Sequence, residues 1–443
     1  MKIQLSDHFT YSKLFRFTLP SIAMMVFTSI YGVVDGYFVS NFAGKTAFAA
    51  INLIMPFVMV LGGMGFMIGT GGTALVSKVL GQRDEATANR YFSMMIELTL
   101  LLGILLGVLG VIFMEPVARF LKATDEMMAD CVLYGRIVTG FTVTFMLQNV
   151  FQSFLIAAEK PKLGLIATIA AGVTNMVLDA LFVGVFRWGV AGAAVATGLS
   201  QCVGGVFPLI YFLRPNSSLL RFRPARLEWK PILRACANGS SELMSNVSSS
   251  LVSILYNFQL LRYYGENGVS AYGVLMYVQF IFIAIFIGYS IGCAPVVGFH
   301  YGAENHGELK NMLGKSVLLM GIGGIVLTAL AQGLAEPLAH IFVGYDAELC
   351  ALTVHAFRLF SFTFLLAGFN IFSSSFFTAL NNGGVSAAIS FLRTLVFQCA
   401  CILILPELIK VDGIWWSNFI AEIGSFLVSL LFLLGMRKKY RYF

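Results

Sequence analysis

Long apolar runs separated by short charged segments set the pattern of this chain. A membrane span requires about 20 predominantly apolar residues. Runs of that kind centre on 14–39, 47–76, 92–114, 132–157, 163–186 and 189–213. A second set centres on 236–262, 269–299, 313–334, 351–380, 384–406 and 412–436. The pattern predicts an all-α polytopic membrane protein with about twelve transmembrane helices. Several runs exceed what a bilayer needs, which predicts tilt, bends or ends that protrude into water.

Composition agrees and narrows the class. Of 443 residues, 58% are hydrophobic and 12% charged, against about 25% charged in soluble proteins. So few charges cannot clothe a large extramembrane domain. The net charge of +7 is spread over short loops. No basic run or basic-aromatic patch supports a nucleic-acid partner. If both termini lie on one side, that side holds twenty of the 29 Lys and Arg, the other six, and the spans three. The positive-inside bias then predicts cytoplasmic termini. The seven cysteines lie mostly in apolar runs without a CxxC, as small core residues do. Charge precedes the first apolar run, and no small-residue cleavage site follows at signal-peptide spacing, so that run reads as a mature span.

The chain repeats itself at an offset of 221. Asn149-Val-Phe-Gln-Ser153 resembles Asn370-Ile-Phe-Ser-Ser374, and Glu115-Pro116 recurs as Glu336-Pro337. Asp125 pairs with Asp346, Gly71 with Gly292 and Gly81 with Gly302. Two six-helix lobes are expected, 1–222 and 223–443, joined by a basic cytoplasmic linker at about 214–234. An even number of spans per unit gives the lobes the same orientation, related by an axis along the membrane normal. Such parallel repeats point to a secondary transporter whose lobes rock around a central cavity.

Acids inside spans are costly, about 2.5–3.5 kcal/mol at a helix centre on insertion scales, and persist when paired, wetted or functional. Asp35 lies deep in the first span, flanked by Gly32 and Gly36, which would allow close helix packing or the approach of an ion. Asn175 and Asp179 share one face of the fifth span. Thr197 in the sixth could add a hydroxyl. These four residues form a candidate oxygen cage for Na⁺ or a shared proton. Their repeat mates are Tyr256, Val396, Ala400 and Asn418, so the cage is expected in the N-terminal lobe alone. Glu242 reads either as an acid in the first turn of span 7, complementing the helix dipole, or as a cavity group. Glu97 and Glu422 read as structural. Arg393 would neutralise an acid such as Glu422 or snorkel to the cytoplasmic surface.

Aromatics and amides could line an amphipathic cavity. Candidates in the C-terminal half are Tyr256, Asn257, Tyr277, Gln279, Phe280, Asn370 and Phe372. Gln148, Asn149 and Gln152 from span 4 could face them. Aromatic faces attract organic cations. There is no Walker A motif, the five histidines show no metal-ligand spacing, and GGMGFMIGTGG lies within a span, where it would permit close packing or bending. No enzyme activity and no cofactor is expected, apart from Na⁺ or H⁺ as coupling ion.

The residues resemble the multidrug and toxic compound extrusion (MATE) family over essentially the whole chain. The resemblance rests on the duplicated six-span unit, LPSIAMMVFTSIYGVVDGYFVSNFAG in span 1 and GTGGTALVSKVLGQRD after span 2. It rests also on the echo GCAPVVGFHYGAEN after span 8 and on LIAAEKPKLG between spans 4 and 5. It is closest to bacterial branches of the DinF-like and MepA-like kind. It implies a monomeric antiporter in a bacterial cytoplasmic membrane that exports amphipathic, often cationic drugs or toxins in exchange for Na⁺ or H⁺. The family's N-lobe cation site matches Asp35, Asn175, Asp179 and Thr197. NorM-like members add an acid pair in spans 7 and 10. Here Glu242 is a displaced match and the segment around Asn370 has no acid, so coupling is expected to fall on the N-lobe. Other readings are export of one specific metabolite and the flipping of a polyprenyl-linked lipid. The latter would want a basic cavity.

Overall fold

The computed structural model describes residues 3–443. In the first half, α1 is Tyr11–Ala43, α2 Thr46–Gly81 and α3 Glu85–Phe120. The bent pair Asp125–Gly140 and Thr142–Ala157, 55° apart, forms α4. Then come α5 (Pro161–Val185) and α6 (Gly189–Leu213). The second half opens with a continuous 74-residue stretch, Trp229–Gly302. It holds two spans, α7 (229–264) and α8 (266–302), because Gly265 breaks it at φ 63, ψ −149. The remaining spans are α9 (His306–Val343), α10 (Ala347–Ala379), α11 (Gly383–Ile409) and α12 (Asp412–Tyr440). All twelve predicted spans are thus present.

The duplication is written into the backbone. Gly44, at φ 97, parts α1 from α2, and its mate Gly265 parts α7 from α8. Both conformations lie in the left-handed region that only glycine enters without strain. Asp84 caps α3 by accepting from the Thr87 N–H at 3.0 Å, and its mate Asn305 caps α9 by accepting from Glu308 at 3.1 Å. Hydrogen bonds from Thr87 hold the Asp84 carboxyl below its ordinary range.

The halves meet backbone to backbone. A Cβ on Gly81 would collide with the Phe299 carbonyl, and one on Gly302 with the Lys78 carbonyl. Phe299 and Lys78 are themselves repeat mates. A second crossing sets Gly71 against the Ala235 carbonyl and Gly239 against the Met67 carbonyl. Its counterpart sets Gly292 against Thr18, and Gly288 against Ser21 and Ile22. The seam therefore runs α2 on α7, α8 on α1, and α2 on α8. Part of the glycine-rich run in span 2 serves this seam, while Gly65 and Gly69 let α2 approach the backbone of α4. Of the two roles expected for Gly32 and Gly36, helix packing is not observed: nothing lies within 4 Å of a Cβ placed on either.

The linker is bound rather than loose. The backbone N–H groups of Arg221, Arg223 and Ala225 donate to Asn89 Oδ1 (2.6 Å), Ser93 Oγ (2.8 Å) and Glu97 Oε1 (3.1 Å). Alternate residues of an extended segment thus meet side chains four apart on α3. Pro224, which has no N–H, falls where none is needed. Glu97 is accordingly structural.

Gly81→Ala and Gly302→Ala should each lower the thermal midpoint in detergent by forcing α2 and α8 apart. Gly32→Ala, in open space, should be neutral or gain about 0.5–1 kcal/mol from better helix propensity. Equal midpoints for all three variants would show that the seam does not depend on these two glycines.

Candidate transport site

Two polar centres are buried in the helical bundle, one in each half. In the first half Asp35, Asn175 and Asp179 come together as one group of buried polar side chains. Asp179 is fully buried and Asn175 nearly so. Tyr134 is buried in the same neighbourhood as both carboxylates and Thr197. Tyr31, one turn before Asp35, contacts Gln148. The room for Tyr31 comes from Gly172, where a Cβ would press on the Phe27 and Tyr31 rings. The structure therefore brings all four residues of the predicted cage into one neighbourhood, and adds Tyr31, Tyr134 and Gln148 to it.

A wide helical turn follows each acid. The chain winds as a π-helix over Val39–Ala43, just beyond Asp35, and over Ala180–Val185, immediately after Asp179. Such turns recur at functional sites because they free or re-aim groups that a regular helix would bury.

The electrostatics of this centre are unfinished. Asp35 Oδ1, Asn175 Oδ1 and both oxygens of Asp179 are buried without a hydrogen-bond donor. A buried polar group left unpaired costs about 1–3 kcal/mol, and more when charged. Two carboxylates in contact offer each other only acceptors. They hold together when a proton or a cation lies between them. Among the described residues, no three His, Cys, Asp or Glu side chains gather as a metal site. The donor set here is two carboxylates, an amide oxygen and neighbouring hydroxyls, which suits a hard cation of low charge.

The second centre faces a cavity of about 630 Å³. Arg393 grips Glu422 through Nε (2.9 and 3.1 Å) and Nη2 (2.7 Å), the bidentate geometry that makes such pairs strong. Asn370 donates to the same carboxylate at 2.6 Å and to the Glu422 carbonyl at 3.0 Å. Gln398 donates to Asn418 at 2.7 Å. Of the two roles expected for Arg393, neutralising Glu422 is the one observed.

Glu242 also lines this cavity. Its helix begins at Trp229, so Glu242 lies more than three turns in, not in the first turn. The dipole reading of Glu242 is therefore corrected. Among the described residues no basic side chain forms an ion pair with it.

The other cavity candidates divide. Tyr256, Tyr277, Gln279, Phe280 and Asn370 line the space. Tyr256 stacks on Tyr272, ring centroids 5.0 Å apart, and its hydroxyl finds no partner. Asn257 does not line it. Phe372 is core instead, packed between Tyr289 and Phe376. Gln148, Asn149 and Gln152 do not face these residues. Asn149 ties α4 to the Gly62 carbonyl of α2 at 3.0 Å, and Gln148 belongs to the first centre. The first half contributes Thr70, Thr73 and Ser153 to the cavity instead. Tyr31 was recoverable from its four-residue spacing to Asp35. Nothing in the sequence distinguished Tyr134 or Thr73 from other polar residues in spans.

A duplicated bundle of apolar helices around a polar cavity defines a membrane transporter rather than an enzyme. The MatE family model matches this chain twice, over residues 20–181 and 243–402. The multidrug export protein MepA of Staphylococcus saprophyticus is 24% identical, across 99% of this chain and 98% of its own length. MepA of Staphylococcus aureus (strain MRSA252) is 22% identical, across 97% and 94%. Among solved structures, a MATE transporter in complex with MaL6 superposes with a TM-score of 0.90 at 22% identity, covering 97% of this chain and 98% of that one. A MOP superfamily transporter from Pyrococcus furiosus gives 0.88 at 22% identity, covering 97% of each. The chain belongs to the MatE family.

The Arg393–Glu422 pair predicts a measurable asymmetry. Arg393→Met leaves Glu422, only 1% exposed, without its counter-charge, and should cost about 3–5 kcal/mol. Adding Glu422→Gln should restore most of that. Thermal unfolding of the single and double variants in detergent reads the difference, and equal midpoints would show that the pair is not coupled.

Proposed function

We propose that this protein exports amphipathic drugs or toxins, preferentially organic cations, in exchange for Na⁺ or H⁺ entering through the Asp35–Asp179 centre. The observation that carries the reading is the set of buried acceptor oxygens on Asp35, Asn175 and Asp179 that no protein donor satisfies. A coupling ion bound from outside, with Asp35, Asn175, Asp179 and Thr197 as its ligands, would supply the missing positive charge. The family relationship, with MepA proteins named as multidrug export proteins, supports drug-like cargo.

The cavity suits such cargo in two ways. Tyr256, Tyr277 and Phe280 present aromatic surface, which stabilises organic cations. Arg393 and Glu422 cancel one another, so among the described residues Glu242 is the acidic side chain on the wall without an ionic partner. Cation loading of the first centre changes the helix packing around Asp35 and Asp179. The two halves rock against one another and expose the cavity to the other side. The excess of Lys and Arg in one set of loops supports a bacterial cell membrane location with both termini on the cytoplasmic side. One chain holds both centres and the cavity, so a single copy suffices.

The deciding experiment follows a fluorescent organic cation in proteoliposomes, with Na⁺ and H⁺ gradients imposed separately. One gradient or both should drive transport in the parent. Asp179→Asn should reduce driven transport at least about tenfold, to the leak level, while dye binding survives. Driven transport at the parental rate in Asp179→Asn would overturn the coupling mechanism. Glu242→Gln should raise the KM for cationic dyes about tenfold, a loss of ~1.4 kcal/mol, and leave uncharged cargo unaffected.

A further inference from the structure

Each half begins after a segment that leans on the other half. Ahead of α7, the linker docks on α3 through Asn89, Ser93 and Glu97. Ahead of α1, the N-terminal segment docks on α9, the repeat mate of α3. There the Phe9 N–H donates to Glu308 Oε1 at 2.9 Å, and His8 Nδ1 lies 2.7 Å from Glu308 Oε2. The Phe9 carbonyl accepts from Lys315 Nζ at 2.6 Å and from Asn311 Nδ2 at 3.0 Å.

The other end of the same segment is fixed to the first half. The Leu5 N–H donates to Glu159 Oε1 at 2.9 Å, in the turn between α4 and α5. The Leu5 and Phe9 side chains are fully buried. Between these anchors the segment passes His300, near the end of α8, which lies against the backbone of Leu5 and Asp7. One short piece of chain therefore spans both halves at the end where Gly81 meets Gly302.

We propose that residues 5–9 are a strap that locks this end of the molecule shut and must let go in every transport cycle. The proposal rests on the rocking of the halves described above. The four peptide units between Leu5 and Phe9 reach about 14 Å at full extension. Parting of the two halves would exhaust that length, so the hydrogen bonds to Glu159 or to Glu308 must break first. Both anchors are carboxylates accepting buried backbone N–H groups, a strong and directional kind of hydrogen bond. Both anchors and the basic loops belong to the same end, so the strap favours the state whose cavity faces away from the cytoplasm. The linker is docked differently: its three backbone hydrogen bonds all go to α3, so they do not tie one half to the other.

The test uses the full chain with its native cysteines replaced. It carries Gln82→Cys and Ala303→Cys, exposed repeat mates beside the seam, where a Cβ on Gly81 would lie 2.8 Å from the Ala303 nitrogen. The rate of crosslinking by a short bis-maleimide reports closure of this end. Glu308→Ala removes the anchor on α9. Leu5→Pro removes the N–H that meets Glu159 without altering any span. Each should shift the closed-to-open ratio about tenfold toward open, the factor expected when one strong buried contact is lost from one of two states, and so slow crosslinking about twofold from a resting ratio of about ten to one. If Glu308→Ala does not insert, Leu5→Pro decides. Parental crosslinking in the variants, together with a parental rate that still responds to cation and cargo, would overturn the strap and leave the rocking reading intact. A parental rate indifferent to cation and cargo would overturn the rocking reading. The variants would then still show whether residues 5–9 clamp this end.

Discussion

The whole arrangement depends on two helices touching through their backbones. At Gly81 and Gly302 the approach of α2 to α8 leaves no room for a Cβ. In hydrocarbon there is little hydrophobic drive for helices to associate, since lipid tails are as apolar as leucine, and close packing of small residues takes its place. The contact is nearly symmetric, because each glycine presses on the carbonyl that is the repeat mate of the one facing its partner. A contact of this kind has small area and steep distance dependence. It holds while closed and resists little once parted, which is what a hinge or seam requires.

Against this symmetric frame the polar content is lopsided. The first half keeps Asp35, Asn175 and Asp179, and the second replaces them with Tyr256, Val396 and Ala400. The second half introduces Arg393, where the first has Gly172. These two substitutions work together locally. Gly172 makes the space that Tyr31 fills next to Asp35, whereas Arg393 fills the equivalent space itself and binds Glu422. One half thus has acids lacking donors and the other an ion pair that is complete.

Much of this was legible in the sequence, for identifiable reasons. Hydropathy located every span because the bilayer forces backbone hydrogen bonds into helices. It underestimated their length. The run 92–114 belongs to a helix extending over Glu85–Phe120, and 313–334 to one over His306–Val343. The added N-terminal turns, capped by Asp84 and Asn305, are largely polar and carry little apolar signal. That same error misplaced Glu242, since α7 starts at Trp229 and not near 236. Asp35 and Asp179 stood out because acids in spans are rare. Their gathering with Tyr134 depends on how α4 folds back at its bend, and Phe372 and Asn257 were misjudged because helical facing cannot be read from residue type. The π-turns after both acids have no sequence signature.

The docking of the linker on α3 has the geometry of a vernier. Two residues of extended chain advance about 6.6 Å, and four residues of helix about 6.0 Å. The scales agree closely enough to engage but drift by about 0.6 Å per step. Three side chains of different reach, Asn89, Ser93 and Glu97, span that drift with hydrogen bonds of 2.6, 2.8 and 3.1 Å. A fourth rung would fall at Leu101, which has nothing to accept with, at a spacing already near the limit. Beyond Ala225 the hold on α3 changes kind, passing to the Arg90–Glu228 ion pair at 3.2 Å just before α7 starts.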